Sequence, residues 1–369
     1  MSKKLHIISF DIPYPADYGG VIDVFYKIKA LYNEGVEIVL HCFQYGNRQP
    51  DSELNKYCKE VIYYPRITGL RGLHPSLPYI ISSRRNNDLL KNLLKDDAPI
   101  LFEGLHTCYF AHHKSIEKRI KILRAHNIES DYYAGLAMNS QSAFKQLYYS
   151  FESNRLRMFE RSLNVFDHIL SISENDQQFF EKRYGSSKAI LVPAFHSNQE
   201  VQSLIGSGNY CLYHGNLSVD ENIKSVDYLV KSIFSELEIP LIIAGKNPTQ
   251  AILSYQSKNI QIKANPSDEE LNTFIQNAHI HVLPSFQQTG IKLKLLNSLF
   301  RGRHIIVNHE IEESHLKDLI HIANSNNLFI KTIKDLMMKD FSEDDLNQRK
   351  QALAFYSNEY QANAICNLI

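Results

Sequence analysis

The sequence lacks the features that mark several large classes of protein. Lys and Arg together number 40, as do Asp and Glu, so the chain has no net charge with which to bind nucleic acid in general. No apolar run approaches the length of a membrane-spanning helix. The five cysteines are odd in number and form no CxxC pair, which indicates free thiols in a reducing cytoplasm.

Several catalytic motifs are also missing. The sequence has no GxxxxGK[ST] phosphate loop, no GxGxxG after the first strand and no GxSxG elbow. It has no Asp-x-Asp triplet, the usual carboxylate platform for a metal-bound nucleotide diphosphate. We therefore expect no required metal and no required cofactor.

What is present is an alternation of short β-branched runs and longer amphipathic runs, which predicts stacked βα units and parallel sheets. Predicted strands occupy residues 5–10, 37–43, 61–65, 100–103, 120–125, 168–173, 189–193, 210–213, 241–244, 260–263, 280–283 and 304–307. Predicted helices lie between them at 21–33, 52–58, 86–95, 131–164, 174–184, 222–237, 249–256 and 268–276, then at 290–301 and in the tail from 342. Ser173 is a predicted N-cap.

A polar, Gly- and Ser-containing stretch at 195–209 interrupts the alternation and reads as a linker. The fold class we predict is α/β, with two doubly wound, Rossmann-like domains facing across a cleft. The predicted divisions are an N-terminal domain at 1–195, a C-terminal domain at 207–345 and a helix at 346–369 that returns to the N-terminal domain.

Candidate site residues of the first half follow predicted strands. Gly19 and Gly20 stand between the first strand and the first helix, where backbone amides can approach an anion. The other candidates bunch after the two strands that end near 103 and 125, and ligands of α/β sheets bind at such strand ends. They are Glu103, His106, Arg124, His126, Asn127 and Glu129.

The second half offers two comparable stretches. Gly215 and Asn216 follow its first predicted strand. Thr289, Gly290, Ile291 and Lys292 lead into a helix that also carries Lys294 and Asn297. Lysines at a helix start are unfavourable for the helix dipole, so they indicate a bound anion such as a diphosphate.

Together these residues resemble the group 1, glycogen-synthase-like, retaining branch of the GT-B glycosyltransferases, over nearly the whole chain. The resemblance rests on the Gly-Gly after strand one, on His126, and on the stretches SISENDQQFFEKRYG (171–185), YHGNLSVDEN (213–222) and TGIKLKLLNSLFRGRHIIV (289–307). It implies two Rossmann-like domains and a nucleotide-diphosphate sugar, UDP- or GDP-linked, as co-substrate.

The sequence departs from that family at the donor site. Asn216 stands where the family has Arg, and Glu221 where it has Lys. Thr289 and Asn297 replace the family's pair of glutamates, which leaves the donor open. Lys292 or Lys294 restores one positive charge, and Asn297 still offers a neutral amide to a ribose.

The resemblance implies residue roles as well. His126 and Lys294 are expected to be catalytic: His126 beside the transferring sugar, Lys294 on the leaving diphosphate. Gly19, Gly20, Gly215, Asn216 and residues 289–292 with Asn297 are expected to bind the donor. The other first-half candidates, His106, Glu103, Arg124, Asn127 and Glu129, are expected to contact the acceptor or sugar.

Two alternatives stay open at this point. A sugar-nucleotide 2-epimerase shares the fold and needs acid/base carboxylates, for which Glu103, Glu129 and Asp131 are candidates. A non-catalytic relative that binds a glycan or serves as a partner subunit would explain the altered donor residues.

The expected acceptor is a glycan or a lipid- or protein-linked glycoconjugate, in a cytoplasmic protein. Any membrane contact is expected to be peripheral, through the N-terminal domain, at the inner face. Residues 66–85 carry four arginines around an apolar centre, which suits a loop near an acceptor or lipid headgroup, but the interpretation we favour is an ordinary irregular loop with solvated charges.

Overall fold

The computed structural model describes residues 3–140, 142–286, 293–308 and 314–369, except for the side chains of 314 and 315. The strands are β1 (Lys4–Ser9), β2 (Glu37–Gln44), β3 (Glu60–Pro65), β4 (Ile100–Glu103), β5 (Lys121–Ala125), β6 (His168–Ser171), β7 (Ala189–Leu191), β8 (Cys211–Asn216), β9 (Leu241–Lys246), β10 (Ile260–Ala264), β11 (Ile280–Leu283), β12 (His304–Val307) and β13 (His321–Ile322).

The α-helices follow the amphipathic runs. They are α1 (Gly19–Asn33), α2 (Tyr79–Ser82), α3 (Asn87–Leu93), α4 (Glu129–Asn139), α5 (Ala143–Phe159), α6 (Glu174–Tyr184), α7 (Asp220–Tyr228), α8 (Gln250–Leu253), α9 (Asp268–Asn277), α10 (Leu293–Arg301), α11 (Asn326–Met337), α12 (Glu343–Leu353) and α13 (Asn358–Cys366). Ser173 caps α6 as predicted, accepting a hydrogen bond from the amide of Asp176.

The chain forms two compact units. The N-terminal unit is Met1–Ser197 with Tyr356–Ile369, and the C-terminal unit is Asn198–Phe355. Of the tail predicted as 346–369, α13 therefore belongs to the N-terminal unit, where Ala362 and Ile365 join its apolar core, whereas all of α12 belongs to the C-terminal unit.

Each unit is built on one parallel sheet. The strand order is β3-β2-β1-β4-β5-β6-β7 in the N-terminal unit and β10-β9-β8-β11-β12-β13 in the C-terminal unit. This confirms the predicted pair of doubly wound α/β layers. The order reverses direction between β1 and β4 and between β8 and β11, so the carboxyl ends of these strands are the places for ligand sites.

The single helix predicted over 131–164 is wrong. The structure has α4, then α5 and a 3₁₀ helix at Glu160–Val165. Two serines account for the break. The Ser140 hydroxyl accepts a hydrogen bond from the Ser142 amide, and Ser142 then caps α5 by accepting one from the amide of Lys145. Serine competes for backbone groups in this way and so favours helix ends over helix interiors.

Candidate functional site

The N-terminal unit gathers its predicted site residues at the switch point of its sheet. β1 runs into Phe10, β4 ends at Glu103 and β5 is followed by His126. Glu103 lies directly beside Arg124 in the register of β4 and β5. The ring of Phe10 packs on two imidazoles, with centroids 5.4 Å from His106 and 5.5 Å from His126.

Helix α1 contributes two charged side chains to this place from its buried face. The Lys27 ammonium donates to Asp23 Oδ2 at 2.9 Å and lies 2.9 Å from Glu103 Oε1. Arg124 donates hydrogen bonds to both carboxylate oxygens of Asp23, from Nε to Oδ2 at 3.1 Å and from Nη2 to Oδ1 at 2.8 Å. All four side chains are buried, so two carboxylates and two cations neutralise one another inside the protein.

Burial and pairing act in opposite directions on these carboxyl groups. Burial alone raises the pKa of Asp23, but Arg124 and Lys27 outweigh it and hold that pKa below its ordinary value. Burial likewise raises the pKa of Glu103, whereas Lys27 and the hydrogen bond from His126 bring it below its ordinary value. Both groups are therefore carboxylates at neutral pH.

His126 sits at the rim of this network. Its Nε2 lies 3.0 Å from Glu103 Oε2, and its side chain keeps a small exposed surface. A carboxylate only accepts hydrogen bonds, so Nε2 carries the proton of that bond. In the neutral imidazole, Nδ1 is then a hydrogen-bond acceptor for a ligand hydroxyl.

His106 is held differently. Burial, and after it the positive Arg84, lowers the pKa of His106 well below its ordinary value, so the ring is neutral. Gly104 has φ +67°, and a Cβ built there would lie 2.9 Å from His106 Nδ1. Only glycine fits both the backbone conformation and the close approach.

Helix α1 begins beside these rings. A Cβ at Gly20 would lie 2.7 Å from Phe10 Cζ, so the first turn touches the aromatic cluster. The N-cap Tyr18 makes no side-chain capping bond, and the first turn holds no acidic residue. The amides of Gly19 and Gly20 thus start a helix whose first turn carries no acidic side chain.

Asp23, Glu103 and His126 offer ligand atoms that all lie within 4.8 Å of one another, as at a metal centre. The fit to a divalent metal is nevertheless poor. Lys27 and Arg124 already contact the same carboxylates, so a metal ion would have to bind against two buried positive charges.

The remaining N-terminal candidates lie around the start of α4. Glu129 is buried in its first turn, and burial, followed by repulsion from Glu160 and Asp176, raises its pKa to about 8. The side chain of Asn127 hydrogen-bonds Glu129. Asp131 is exposed and lies 3.8 Å from Arg157.

In the C-terminal unit, two glycines lie where the backbones of β8 and β9 approach each other closely. Gly215 and Gly245 are register partners in β8 and β9, and a Cβ at Gly245 would lie 1.8 Å from the Gly215 carbonyl oxygen. Asn216 Oδ1 accepts from the amide and hydroxyl of Ser218, at 3.1 and 2.8 Å. The loop after β8 is therefore shaped by its own short contacts.

Lys294 of α10 reaches the same loop. Its ammonium donates to Tyr213 Oη at 3.0 Å and to Asn222 Oδ1 at 2.8 Å, and it lies over the Tyr213 ring. Asn222 in turn donates to the Asn216 carbonyl at 2.8 Å. Two neutral groups thus contact a positive charge near the end of β8 at Gly215–Asn216.

The rest of α10 is anchored inside its unit. Asn297 Oδ1 accepts from Asn198 Nδ2 at 2.9 Å. His214 Nε2 and His281 Nδ1 both meet the Ser298 hydroxyl, at 3.2 and 3.0 Å. Burial lowers the pKa of His214 to about 3, so its imidazole is neutral in this hydrogen-bonded group. Thr289, Gly290, Ile291 and Lys292 lie outside the described residues.

Sequence reasoning missed four residues that build these places: Asp23, Lys27, Tyr213 and Asn222. A signal existed for the first two. Asp23 and Lys27 are four residues apart on the apolar face of α1, and charges on a buried face need partners. Nothing in the sequence around Tyr213 distinguishes it from a core aromatic.

Residues 208–338 match the sequence model of the family described as "Glycosyl transferases group 1". The match lies within the C-terminal unit and includes β8, Lys294 and the rest of α10. No helix in the described part of the chain is both long and apolar enough to cross a membrane.

The whole chain has relatives in sequence and in structure. A Klebsiella pneumoniae protein described as "Uncharacterized 44.6 kDa protein in cps region" is 27% identical over 354 residues, covering 89% of this chain and 90% of that one. The sucrose-phosphate synthase of Thermosynechococcus elongatus superposes with a TM-score of 0.69 at 13% identity, covering 99% and 98% of the chains. Anabaena HepE, solved in complex with UDP and glucose, gives a TM-score of 0.63 at 12% identity, covering 99% and 98%.

Proposed function

We propose that this chain, a GT-B protein with a group 1 glycosyltransferase domain, transfers a sugar from a nucleotide-diphosphate sugar to a glycan or glycoconjugate acceptor. The observation that carries the proposal is the fixed ammonium of Lys294 beside the turn after β8. Phosphate groups bind where a positive charge and main-chain amides meet.

The C-terminal unit is the proposed donor unit. Lys294 and the end of β8 at Gly215 would bind the diphosphate, with Asn222 keeping both in place. Residues 289–292, Asn216 and Asn297 stay predicted donor contacts. UDP- or GDP-sugars are the proposed donors, and the HepE complex with UDP and glucose supports that class of ligand.

The N-terminal unit is the proposed acceptor and sugar unit. His126 would accept a hydrogen bond from a sugar hydroxyl through Nδ1, while Glu103 fixes its orientation through Nε2. Arg124 has no exposed surface and is engaged by Asp23, so its geometry supports a positioning role and not a direct contact with acceptor. The amides of Gly19 and Gly20 would bind a phosphate oxygen.

The proposed chemistry needs no metal and retains the configuration of the sugar. Negative charge grows on the leaving diphosphate in the transition state, and Lys294 with the helix-start amides would stabilise it. The missing Asp-x-Asp triplet supports metal independence, and the resemblance to the retaining branch supports retention.

The proposed acceptor belongs to polysaccharide biosynthesis and is a lipid-linked or protein-linked glycan. The Klebsiella relative, described as coming from a cps region, supports this class. The proposed setting is the cytoplasmic side, with at most a peripheral contact to the inner membrane face.

A thermal-shift screen against UDP, GDP, ADP, CMP and their sugars, without added metal, tests the donor site. Selective stabilisation by one nucleoside diphosphate is the expected result. No stabilisation by any of them would favour the non-catalytic relative. Conversion of a nucleotide sugar in the absence of acceptor, without transfer, would favour the 2-epimerase.

A further inference from the structure

Helix α5 presents large apolar side chains to solvent. Phe144, Leu147, Phe151 and Met158 are 80%, 72%, 58% and 71% exposed. Their spacing of three, four and seven residues places them on one side of the helix, which we call the apolar face. Met138, 83% exposed, flanks it at the end of α4. Single exposed apolar residues are ordinary, but a row of this size marks a binding surface.

The opposite side of α5 is already used for packing. Glu152 Oε2 accepts from the amide of Tyr79 at 2.6 Å, and the Ser153 hydroxyl donates to the Ser130 carbonyl at 2.7 Å. Leu156, also on that side, is fully buried. The other side of α5 therefore packs against its unit and leaves the apolar face to solvent.

A basic segment adjoins this helix. The Arg155 guanidinium donates to the His74 carbonyl, which joins α5 to residues 66–85. The segment has no acidic residue, and of its four arginines Arg71 is exposed, Arg66 and Arg85 are half-buried, and Arg84 is buried. Leu70 and Leu73 of the same segment are exposed. This segment, for which the sequence favours an ordinary surface loop, thus continues the surface of α5.

Most acidic residues of the α4–α5 hairpin are buried, and one of them, Glu152, pairs with Arg155 at 3.1 Å. Glu129, Glu152 and Glu160 are buried, and burial raises the pKa of Glu160. Asp131 is exposed but lies 3.8 Å from Arg157. Exposed Lys145 and Arg161 stand along α5 and just beyond it, so the outer surface is apolar and positive together.

We propose that the apolar face of α5 and the basic segment 66–85 dock on an anionic lipid surface. Apolar side chains enter the boundary between headgroups and acyl chains, and arginines and lysines pair with the anionic headgroups. A second copy of the chain is a poorer occupant because it would bring positive against positive. The idea that docking brings the N-terminal unit to a lipid-linked acceptor rests on the proposed function. The expected binding to vesicles does not depend on that function.

Flotation of the full chain with lipid vesicles tests the proposal. We expect binding to phosphatidylcholine vesicles containing roughly one-third phosphatidylglycerol, little binding to pure phosphatidylcholine, and loss of binding as salt rises. The double variant Phe144→Ser/Leu147→Ser should bind about tenfold more weakly or worse. Met338→Ser, which removes an 89% exposed side chain of the C-terminal unit, should bind like the wild type.

The double variant should keep the wild-type thermal melting curve, because both side chains are exposed. Undiminished vesicle binding by this variant, or no binding of the wild type to either vesicle, would overturn the proposal. So would self-association of the wild type that the double variant loses, since the face would then be a protein interface. The assay contains no nucleotide sugar, so its failure is separable from a failure of glycosyl transfer.

Discussion

The two units hold the cationic side chains of their candidate sites in different ways. Between α1 and the ends of β4 and β5, the N-terminal unit buries the cations Lys27 and Arg124 and balances them with two carboxylates at hydrogen-bond distance. In the C-terminal unit, Lys294 donates to two neutral groups, a phenol and an amide. The first arrangement fixes geometry, because its charges satisfy one another. The second fixes the position of a cation, which suits an anionic ligand.

The largest loss of stability is expected from a change at Asp23. Asp23→Asn would leave Lys27 and Arg124 with one carboxylate between them in a buried place. We expect it to lower the free energy of unfolding of the N-terminal unit by about 3–5 kcal/mol. Urea denaturation followed by circular dichroism measures the change.

A matched control exists in the C-terminal unit. Asp227 and Lys231 have the same spacing and the same 2.9 Å separation as Asp23 and Lys27, but they lie at the surface. Asp227→Asn should change stability little, because solvent screens exposed pairs. Similar small effects in both variants would show that burial does not give the N-terminal network its weight.

Glu129 makes the stability of the N-terminal unit depend on pH. Its pKa rises from an ordinary 4.5 to about 8 on folding, chiefly by burial. Its contribution to stability is therefore complete below about pH 4.5 and is lost as pH rises toward 8, at about 1.4 kcal/mol per pH unit.

The variant Glu129→Gln keeps the shape of the protonated acid and does not titrate. Relative to wild type it should become steadily more stable between about pH 4.5 and 8, as measured by urea denaturation at each pH. A pH-independent difference between the two proteins would contradict the raised pKa.

Gly104 tests the packing behind His106. Gly104→Ala places a methyl group against that imidazole and strains a backbone at φ +67°, so we expect a loss of about 1–3 kcal/mol in stability. Gly135→Ala in α4 meets nothing within 4 Å and should instead stabilise by about 0.5–1 kcal/mol. If urea denaturation showed that both variants change the free energy of unfolding in the same direction, the close approach to His106 would not be what requires glycine.

Periodicity in the sequence predicted the sheets well, because buried parallel strands are short apolar runs with sharp ends. The strands at 100–103, 280–283 and 304–307 agree with β4, β11 and β12 to the residue. β13 escaped prediction because two residues carry no periodic signal, and the break between α4 and α5 because a pair of serines weighs little against a long amphipathic run.

The candidate site was predictable only as a set of strand ends. That rule brought Glu103, Arg124 and His126 together, and the structure places them within one network. It could not supply their partners. Asp23 lies 101 residues from Arg124 in sequence, so their pairing depends on how α1 packs on the sheet. Tyr213 and Asn222 depend in the same way on the packing of α10.

The most direct test of the central claim is the affinity of the nucleoside diphosphate for Lys294→Ala, measured by isothermal titration calorimetry. Loss of a charge-assisted contact should weaken binding by about 1–3 kcal/mol relative to wild type. Lys331→Ala, an exposed lysine of the same unit, is the control and should bind like the wild type. Equal affinity of Lys294→Ala and wild type would contradict the placement of the donor diphosphate at Lys294.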